Sequence, residues 1–377
     1  MISTLDGIVI VPGRIKRAIP TKSPMSKPII AIDASLIGTQ NTGDTSYWRG
    51  LLYGLSLIET NAEFHLFAPD QAPLNYDLHP KFTWHHIPAK NRRLWNLKAF
   101  PQAAAEIKAN VLHTQYNVSP FAQTPAITTI HDVSFFVNPD WYKLKDRILL
   151  TTQIPKTIAR AKKVLTVSET SHQEIIYHIP QAEPKTIVTY NALGPNFQPQ
   201  PKEQARSQLN IGQPFVFCIT SAWARKNTSL AAQAFQFSQL ANTHRLVTCG
   251  PGDPILPNST HLGYVDDLTM RNLYAAADCF LLPSLHEGFG IPLLEAFASQ
   301  TPVITGTGGA IPEVAAGCAT ICPDYNPQTW AEALNSLNDD SGKLQSMIER
   351  GLRRVNDFSW KKTAELTMEA YDEVFRG

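Results

Sequence analysis

The chain has 377 residues, of which 43% are hydrophobic and 17% are charged, and its formal net charge at pH 7 is +1. This length suffices for two domains that each bury a core, and the near-neutral charge argues against a general nucleic-acid-binding protein, since such proteins are usually strongly basic. No apolar run reaches the roughly 18 residues that a membrane-spanning helix needs, and the apolar segment at residues 7–11 is too short for a signal peptide.

The cysteine pattern indicates a reducing compartment. All the cysteines lie in the second half of the chain, and three of them sit in apolar runs that predict buried thiols. The full set is Cys218, Cys249, Cys279, Cys318 and Cys322. Three residues separate the last two, which lack a second pair or a nearby histidine, so we expect no zinc site. We therefore expect a cytoplasmic protein.

A basic stretch containing several prolines precedes the first predicted strand. Residues 1–27 are predicted to be an extension, with Met25 as an alternative start. The first strand is predicted at residues 29–33, and apolar residues at helical spacing predict a helix over residues 49–58.

Strands and helices then alternate through the first half of the chain. Short apolar runs predict strands at residues 64–67, 111–113, 126–130 and 163–167. Ser168 is predicted to cap the next helix, and Ser171 with Glu174 offers a second capping pair. Such alternation is typical of a parallel sheet with helices on both faces.

A second alternating unit follows a linker. Residues 191–204 are rich in Pro, Asn, Gln and Gly, which predicts a connection between two domains. The strands of the second unit are predicted at residues 215–219, 245–249, 279–282, 303–304 and 319–321. A final helix places five apolar residues on one stripe, namely Trp360, Ala364, Met368, Tyr371 and Phe375. Ligands of such sheets bind beyond the carboxyl ends of the strands.

Two carboxylates eight positions apart, Glu287 and Glu295, mark the most informative segment. An apolar strand ends at Pro283, a Gly-Phe-Gly loop follows, and Pro292 stands where the first turn of a helix tolerates proline. A helix N-terminus carries free N–H groups and partial positive charge, which suits a phosphate. The alternative is that Glu287 is a solvated loop residue and Glu295 an ordinary helix carboxylate.

This segment resembles the signature of a known enzyme family. Glu287-x7-Glu295, with Gly288-Phe289-Gly290 between the two glutamates, is similar to the motif of retaining glycosyltransferases of the GT-B fold, in the group-one (family four) class. Residues 273–278, 301–305 and 308–314 also fit that class, so the ordered resemblance covers about forty residues.

The resemblance implies an α/β protein of the GT-B fold, in which two Rossmann-like domains face a cleft and the C-terminal helix returns to the first domain. The expected divisions are an extension, an acceptor-side domain, a nucleotide-sugar-binding domain and the returning helix, over residues 1–27, 28–195, 196–358 and 359–377.

A basic pair, Arg225 and Lys226, follows the first strand of the second unit. A guanidinium and an ammonium at a strand-to-helix loop can neutralise a diphosphate. The alternative is an exposed basic turn in which Asn227 caps the next helix. In the resembled family a basic pair at this place binds the donor diphosphate, and the amides of Gly288, Phe289 and Gly290 are expected to share that role.

Two positions of the first domain are expected to face the donor. The resemblance places a glycine-rich loop after the first strand, here with Gly43, while Asp44 is expected to point away from the phosphate or toward the acceptor. His131 ends a strand, and the resemblance directs it at the donor sugar; the alternative is a structural pair with Asp132. Four residues after another strand are candidates for acceptor contact, namely His113, Gln115, Tyr116 and Asn117.

The segment Lys90–Lys98 is basic and contains Trp95. It can contact anionic lipid or an acidic acceptor, which allows peripheral contact with the inner face of the membrane. The alternative is a solvated helix face with Trp95 packed inward.

The resemblance implies a retaining hexosyltransferase that moves mannose or glucose from a GDP- or UDP-sugar to a glycan or lipid-linked acceptor hydroxyl. Because the chain has no Asp-x-Asp motif, Arg225 and Lys226 are expected to neutralise the leaving diphosphate without a metal or cofactor. Glu287 is expected to orient the sugar and Glu295 to bind the ribose. The alternatives are another GT-B enzyme, such as an epimerase or a phosphorylase, and a non-catalytic sugar-nucleotide-binding protein.

Overall fold

The structure is a computed structural model. It describes residues 27–37, 43–71, 78–252 and 258–377 in full, apart from the side chain of Asn338, and it describes only the backbone of residues 4–5, 8–11 and 14–16. The alternative start at Met25 and residues 38–42 of the predicted glycine-rich loop lie outside the described residues. Within residues 1–27, three short strands form an antiparallel sheet: β1 Thr4–Leu5, β2 Ile8–Val11 and β3 Arg14–Lys16.

The first large sheet contains seven of the described strands: β4 Ile29–Asp33, β5 Glu63–Ala68, β6 Phe82–His86, β7 Val111–Gln115, β8 Ala126–Thr129, β9 Lys163–Thr166 and β10 Thr186–Val188. Every pairing is parallel, in the order β10-β9-β8-β7-β4-β5-β6. The helices around it are α1 Gly43–Leu57, α2 Arg92–Leu94 with a π turn at Trp95–Ala99, α3 Phe100–Glu106, α4 Ser134–Val137, α5 Leu144–Arg160 and α6 Glu169–His178, with 3-10 turns at Pro139–Trp141 and Pro180–Lys185.

The second large sheet contains six of the described strands: β11 Phe215–Ile219, β12 Arg245–Cys249, β13 Ser259–His261, β14 Cys279–Leu282, β15 Val303–Thr305 and β16 Thr320–Ile321. It is also parallel, in the order β13-β12-β11-β14-β15-β16. The helices that follow residue 200 in the chain are α7 Lys202–Leu209, α8 Thr228–Phe237, α9 Asp267–Ala276, α10 Ile291–Ala298, α11 Ile311–Ala315, α12 Pro327–Asn335, α13 Ser341–Arg354 and α14 Trp360–Arg376. Short 3-10 turns lie at Ala224–Lys226, Gln239–Asn242, Ser336–Asn338 and Val355–Asp357.

The boundaries of the predicted strands lie within one or two residues of the observed boundaries. These strands were predictable because parallel strands are buried between helices and therefore form apolar runs in the sequence. Helix α1 begins at Gly43, six residues before the predicted start, because its first turns are polar and do not show the apolar stripe. Asp44 lies in the first turn, where the helix dipole favours a negative charge.

Helix α14 returns to the first domain, as predicted, and packs against α1. A Cβ atom at Gly50 would lie 2.1 Å from the Trp360 indole, and one at Gly54 would lie 2.1 Å from the Trp360 carbonyl oxygen, so the two glycines permit the close approach of α14. The Trp360 indole donates a hydrogen bond of 2.8 Å to the Leu193 carbonyl. The Tyr371 hydroxyl lies 2.6 Å from Nδ1 of His113, so the last helix completes the core of the first domain.

Candidate active site

A cleft of about 2680 Å³ separates the two large sheets at the carboxyl ends of their strands. Residues of both domains line it, including every residue that the sequence analysis expects to contact the donor: Gly43, His131, Arg225, Lys226, Glu287, Gly288, Phe289, Gly290 and Glu295. The structure thus brings together side chains that lie far apart in sequence, while their individual roles stay predictions.

Glu287 is a buried member of an ionic cluster. It is 6% exposed, and Nζ of Lys226 donates to its two carboxylate oxygens at 2.6 and 2.8 Å. The Ser284 hydroxyl donates to it at 2.6 Å, and Arg225 approaches to 3.7 Å. Burial alone would raise the pKa of Glu287, but Lys226 and Arg225 hold it below its ordinary value. The alternative of a solvated loop residue is therefore wrong.

Arg225 and Lys226 form a short 3-10 turn after β11. One Arg225 nitrogen donates to the carbonyl of His286 at 2.9 Å, which holds the guanidinium against the loop that carries Glu287. Asn227 has a left-handed conformation with φ of 48°, and its side chain makes no capping hydrogen bond to α8. The side chains of Arg225 and Lys226 are also mostly buried, so the alternative of an exposed basic turn in which Asn227 caps the helix is wrong.

His131 is 9% exposed and follows β8. Its Nε2 has no hydrogen-bond partner within the described residues and lies 3.7 Å from a carboxylate oxygen of Asp44. Burial lowers the pKa of His131, although Asp44 and Asp132 act in the opposite direction. A buried ring nitrogen without a protein partner is free to bond a ligand hydroxyl in the cleft.

Asp132 does not pair with the His131 ring; its carboxylate accepts hydrogen bonds from the Ser134 amide at 2.9 Å and the Ser134 hydroxyl at 2.5 Å. Burial would raise its pKa, but Arg225 and His286 help to bring it to about 2. The alternative of a His131–Asp132 pair is therefore wrong. The sequence predicts Asp132 only as that partner, and its position beside Arg225 has no local signal in the sequence.

The glycine loop and α10 bring backbone to the cleft. A Cβ atom at Gly288 would lie 2.7 Å from the His131 carbonyl, so this glycine permits the loop to meet the first domain. Gly290 precedes α10 with φ of 103°, a conformation that favours glycine. The first turn of α10 therefore lies at the cleft, where its free N–H groups would stabilise an anion.

Glu295 lies in α10, half-buried, at the second-domain wall of the cleft. Burial raises its pKa to about 7, which the Tyr274 side chain opposes and Asp267 reinforces. An ordinary exposed helix carboxylate would titrate near 4.3, so this environment is unusual for a glutamate.

Two further predictions are corrected in part. His113 is fully buried against Tyr371 and Thr129, away from the cleft, whereas the other three acceptor candidates, Gln115, Tyr116 and Asn117, do line it. In Lys90–Lys98, Trp95 is fully buried and donates to Asp33 at 2.9 Å, which agrees with the inward-packed alternative. Arg92 and Arg93 of the same segment nevertheless line the cleft.

The described residues contain no group of three or more His, Cys, Asp or Glu side chains placed to hold a metal ion. None of the helices in the described part is long and apolar enough to cross a bilayer. The predicted burial of three cysteines is confirmed, and the structure buries the other two free thiols as well.

The family of the chain follows from its similarity to known proteins. Residues 55–196 match the model of Glycosyltransferase Family 4, and residues 199–354 match that of Glycosyl transferases group 1. The O-antigen chain mannosyltransferase B of Escherichia coli is 29% identical over 301 residues, which cover 74% of this chain and 77% of that protein.

Solved structures share the whole architecture. Sucrose-phosphate synthase from Thermosynechococcus elongatus has a TM-score of 0.73 at 18% identity, with 93% of this chain and 99% of that chain covered. Anabaena HepE, in complex with UDP-glucose, has a TM-score of 0.69 at 15% identity, with 92% and 99% covered. At these identities the likeness concerns the fold. It shows that the chain has the GT-B fold, and the two family matches show that the chain belongs to the group 1 glycosyltransferases of family 4.

Proposed function

We propose that this glycosyltransferase is a retaining, metal-independent hexosyltransferase that uses a GDP- or UDP-sugar. The observation that carries the proposal is the cluster of Arg225, Lys226 and Glu287 in the second domain, which lies in the same cleft as the unpartnered ring nitrogen of His131 in the first. A cationic pair, a fixed carboxylate and a free hydrogen-bonding group are the parts that transfer of a sugar from a diphosphate requires.

The diphosphate is assigned to Arg225, Lys226 and the backbone around Gly288–Gly290, with Gly43 on the facing domain. Two N–H groups of Lys226 bond Glu287, which leaves the third for a phosphate oxygen. Because Glu287 and Asp132 already offset the two cations, the amides at the start of α10 must supply part of the stabilisation.

The sugar is assigned to Glu287 and His131, which would orient its hydroxyls. In the proposed step, the bond between the anomeric carbon and the diphosphate oxygen breaks while the acceptor oxygen bonds the same face of that carbon. The acceptor proton passes to the leaving phosphate, so the atoms and charge balance without a protein nucleophile. Glu295, on α10, would accept hydrogen bonds from the ribose hydroxyls.

The donor is proposed from the relatives, and GDP-mannose is the first candidate because the Escherichia coli relative is named a mannosyltransferase. UDP-glucose is the second candidate, since HepE was solved with it. Both can be compared by the thermal shift of the protein with each nucleotide sugar, because a ligand that binds the folded state raises its melting temperature.

An acceptor that carries phosphate on a lipid is proposed from the first-domain side of the cleft. Five cations line it without an ion pair among the residues that the structure covers: Arg92, Arg93, Lys145, Lys156 and Arg160. Leu144, Ile148 and Leu149 of α5 are exposed beside them, at 69%, 55% and 52%. Apolar and cationic side chains on one helix suit an anionic amphiphile.

The function is tested by incubating the protein with GDP-mannose or UDP-glucose, a lipid-linked diphosphate sugar and EDTA. We expect transfer that survives chelation, with the anomeric configuration of the donor retained in the product by NMR. Complete loss of activity in EDTA, restored by Mg²⁺ or Mn²⁺, would contradict metal independence. An inverted product would contradict retention.

Glu287 has its own test. Replacing it with Gln preserves size but removes the charge, so we expect a fall in kcat with a smaller change in KM, as for a group that acts mainly in the transition state. A Glu287→Gln variant with the kcat and donor affinity of the unmodified protein would rule out the assigned role.

A further inference from the structure

We infer that helix α6 of the first domain holds the Glu287 loop of the second domain in its working position, so that Ser168, Ser171, Glu174 and Glu313 are positioning residues for catalysis. The inference rests on the proposed function, because it concerns how that site is assembled. None of these four residues lines the cleft.

The first contact is at Gly288, the residue next to Glu287. Its carbonyl accepts a hydrogen bond of 2.6 Å from the Ser168 hydroxyl and one of 3.1 Å from the Ser171 hydroxyl. The Ser171 hydroxyl also lies 2.9 Å from the His131 carbonyl. Both serines are fully buried, so a single hydroxyl links the backbones of two predicted catalytic segments.

The second contact is on the other side of Glu287. His286 is 2% exposed, and its Nε2 hydrogen-bonds the Glu174 carboxylate at 2.9 and 3.0 Å. Burial alone would lower the pKa of His286, but Glu174 and Asp132 raise it, which favours an ion pair. Helix α6 therefore holds the residues both before and after Glu287.

The third contact is made by Glu313 at the start of α11. Its carboxylate accepts hydrogen bonds of 2.9 Å from the amides of Glu169 and Thr170 and one of 2.7 Å from the Thr170 hydroxyl. A carboxylate from the second domain thus binds free N–H groups at the N-terminus of α6, where the helix dipole also favours it.

Hydrogen bonds connect the helix that carries Glu313 to the Glu287 loop. The amide of Ala310 donates to the carbonyl of Glu287 at 2.9 Å, immediately before α11 begins. Arg354 donates to the Glu313 carbonyl at 2.9 Å, which fixes α11 from behind. The contact between the domains therefore supports the backbone on both sides of Glu287, while Lys226 and Ser284 of the second domain hold its carboxylate.

The prediction of Ser171 and Glu174 as a local capping pair is wrong, because both side chains contact the second domain. Ser168 does cap α6, since it accepts from the Ser171 amide at 3.0 Å. The side chains of Ser171 and Glu174 instead bind the other domain.

The test compares three variants of the full chain: Glu313→Ala, Glu313→Gln and Ser171→Ala. We expect Glu313→Ala and Ser171→Ala to lower kcat about tenfold, with the donor KM within about threefold, because these residues place a transition-state group and touch no substrate. Small-angle X-ray scattering is expected to show a larger radius of gyration for these two variants than for the unmodified protein. Glu313→Gln keeps one acceptor oxygen and should fall between Glu313→Ala and the unmodified protein.

Asp340→Ala is the matched control, because Asp340 also caps a helix, accepting from the Lys343 amide at 2.9 Å, but within one domain. It should lower the melting temperature comparably, since a lost cap costs about 1 kcal/mol, while kcat and the radius of gyration stay unchanged.

Two outcomes are distinguishable. If the unmodified protein transfers no sugar, the proposed function fails, while the scattering comparison still tests the contact between the domains. If Glu313→Ala and Ser171→Ala keep full kcat, or if Asp340→Ala loses as much kcat as they do, the inference is overturned. Should Glu313→Ala fail to fold, Glu313→Gln and Ser171→Ala are judged by the same criteria.

Discussion

At the scale of single residues, the cleft is organised around a buried carboxylate that is kept charged. Removing Glu287 from water is costly, and the neighbouring ammonium, guanidinium and hydroxyl offset that cost. Such a group is sensitive to the loss of a partner, because the remaining charge stays buried. Lys226 therefore has two roles: it stabilises the fold, and it is proposed to contact the phosphate.

Lys226→Ala should weaken binding of a nucleoside diphosphate more than binding of the nucleoside, and should destabilise the fold by about 1–3 kcal/mol because Glu287 loses its closest cation. Calorimetric titration with each ligand and thermal unfolding would measure both. Adding Glu287→Gln to Lys226→Ala should recover part of the stability. Equal losses for the two ligands would argue against the phosphate contact.

Glu295 offers a pH-dependent test. Its pKa is raised from 4.5 to about 7, so the folded protein binds a proton more tightly than the unfolded chain, and this contribution to stability is lost as pH rises from 4.5 through 7. Glu295→Gln should therefore raise the melting temperature at pH 8 but change it little at pH 4.

The same substitution should weaken donor binding about tenfold at pH 8, because an ionised carboxylate is the better acceptor for ribose hydroxyls. In the unmodified protein, donor affinity should increase as pH rises through about 7, and this increase should vanish in Glu295→Gln. A donor affinity with the same pH dependence in both proteins would refute the ribose contact.

At the scale of elements, the strand–glycine–helix unit from β14 to α10 shows what local sequence can reveal. Its strand, loop and helix were predictable because each has a local signature: an apolar run, glycines, and a proline in the first turn. The roles of Ser171 and Glu174 were not, because their partners are more than a hundred positions away, at separations of 117 and 112 residues. Local pattern predicts elements, whereas contacts between domains depend on their mutual placement.

Gly288→Ala is the prediction for this unit. The new Cβ would meet the His131 carbonyl, a backbone atom that cannot swing aside, so the loop should move from the first domain and kcat should fall at least tenfold. Gly212→Ala is the control, since a Cβ there has no atom within 4 Å among the residues described. Steady-state kinetics of both variants, with melting temperatures, would decide; unchanged kcat in Gly288→Ala would mean that the close approach is unimportant.

At the scale of the whole molecule, α14 joins the two domains through a buried polar network. His113 bonds Tyr371 of α14 and Thr129 of β8, and Tyr47 of α1 also bonds Thr129, at 2.8 Å. The stripe of the last helix was predictable from its spacing, but its histidine partner was assigned to the acceptor. The predicted strand ends at His113, but β7 continues to Gln115, so His113 lies inside the core instead of at the cleft.

His113 should make the protein acid-sensitive. Burial lowers its pKa from 6.5 to about 3, so the unfolded chain takes up a proton that the folded state refuses, and stability is lost as pH falls from 6.5 toward 3. His113→Gln should reduce this loss, which is on the order of 2–4 kcal/mol. Denaturant unfolding at pH 4.5 and 7.5 would measure it. An unchanged difference between the two pH values would place the acid sensitivity elsewhere.

The packing of α14 on Gly50 and Gly54 also has a consequence in time. Tyr371 is made 258 residues after its partner His113, an interval of roughly 10–50 s at ordinary rates of translation. Throughout that interval the glycine-lined face of α1 lacks the helix that covers it. We therefore expect the first domain of the nascent chain to expose an apolar surface of the kind that chaperones bind, and to finish folding only after the second domain has been synthesised.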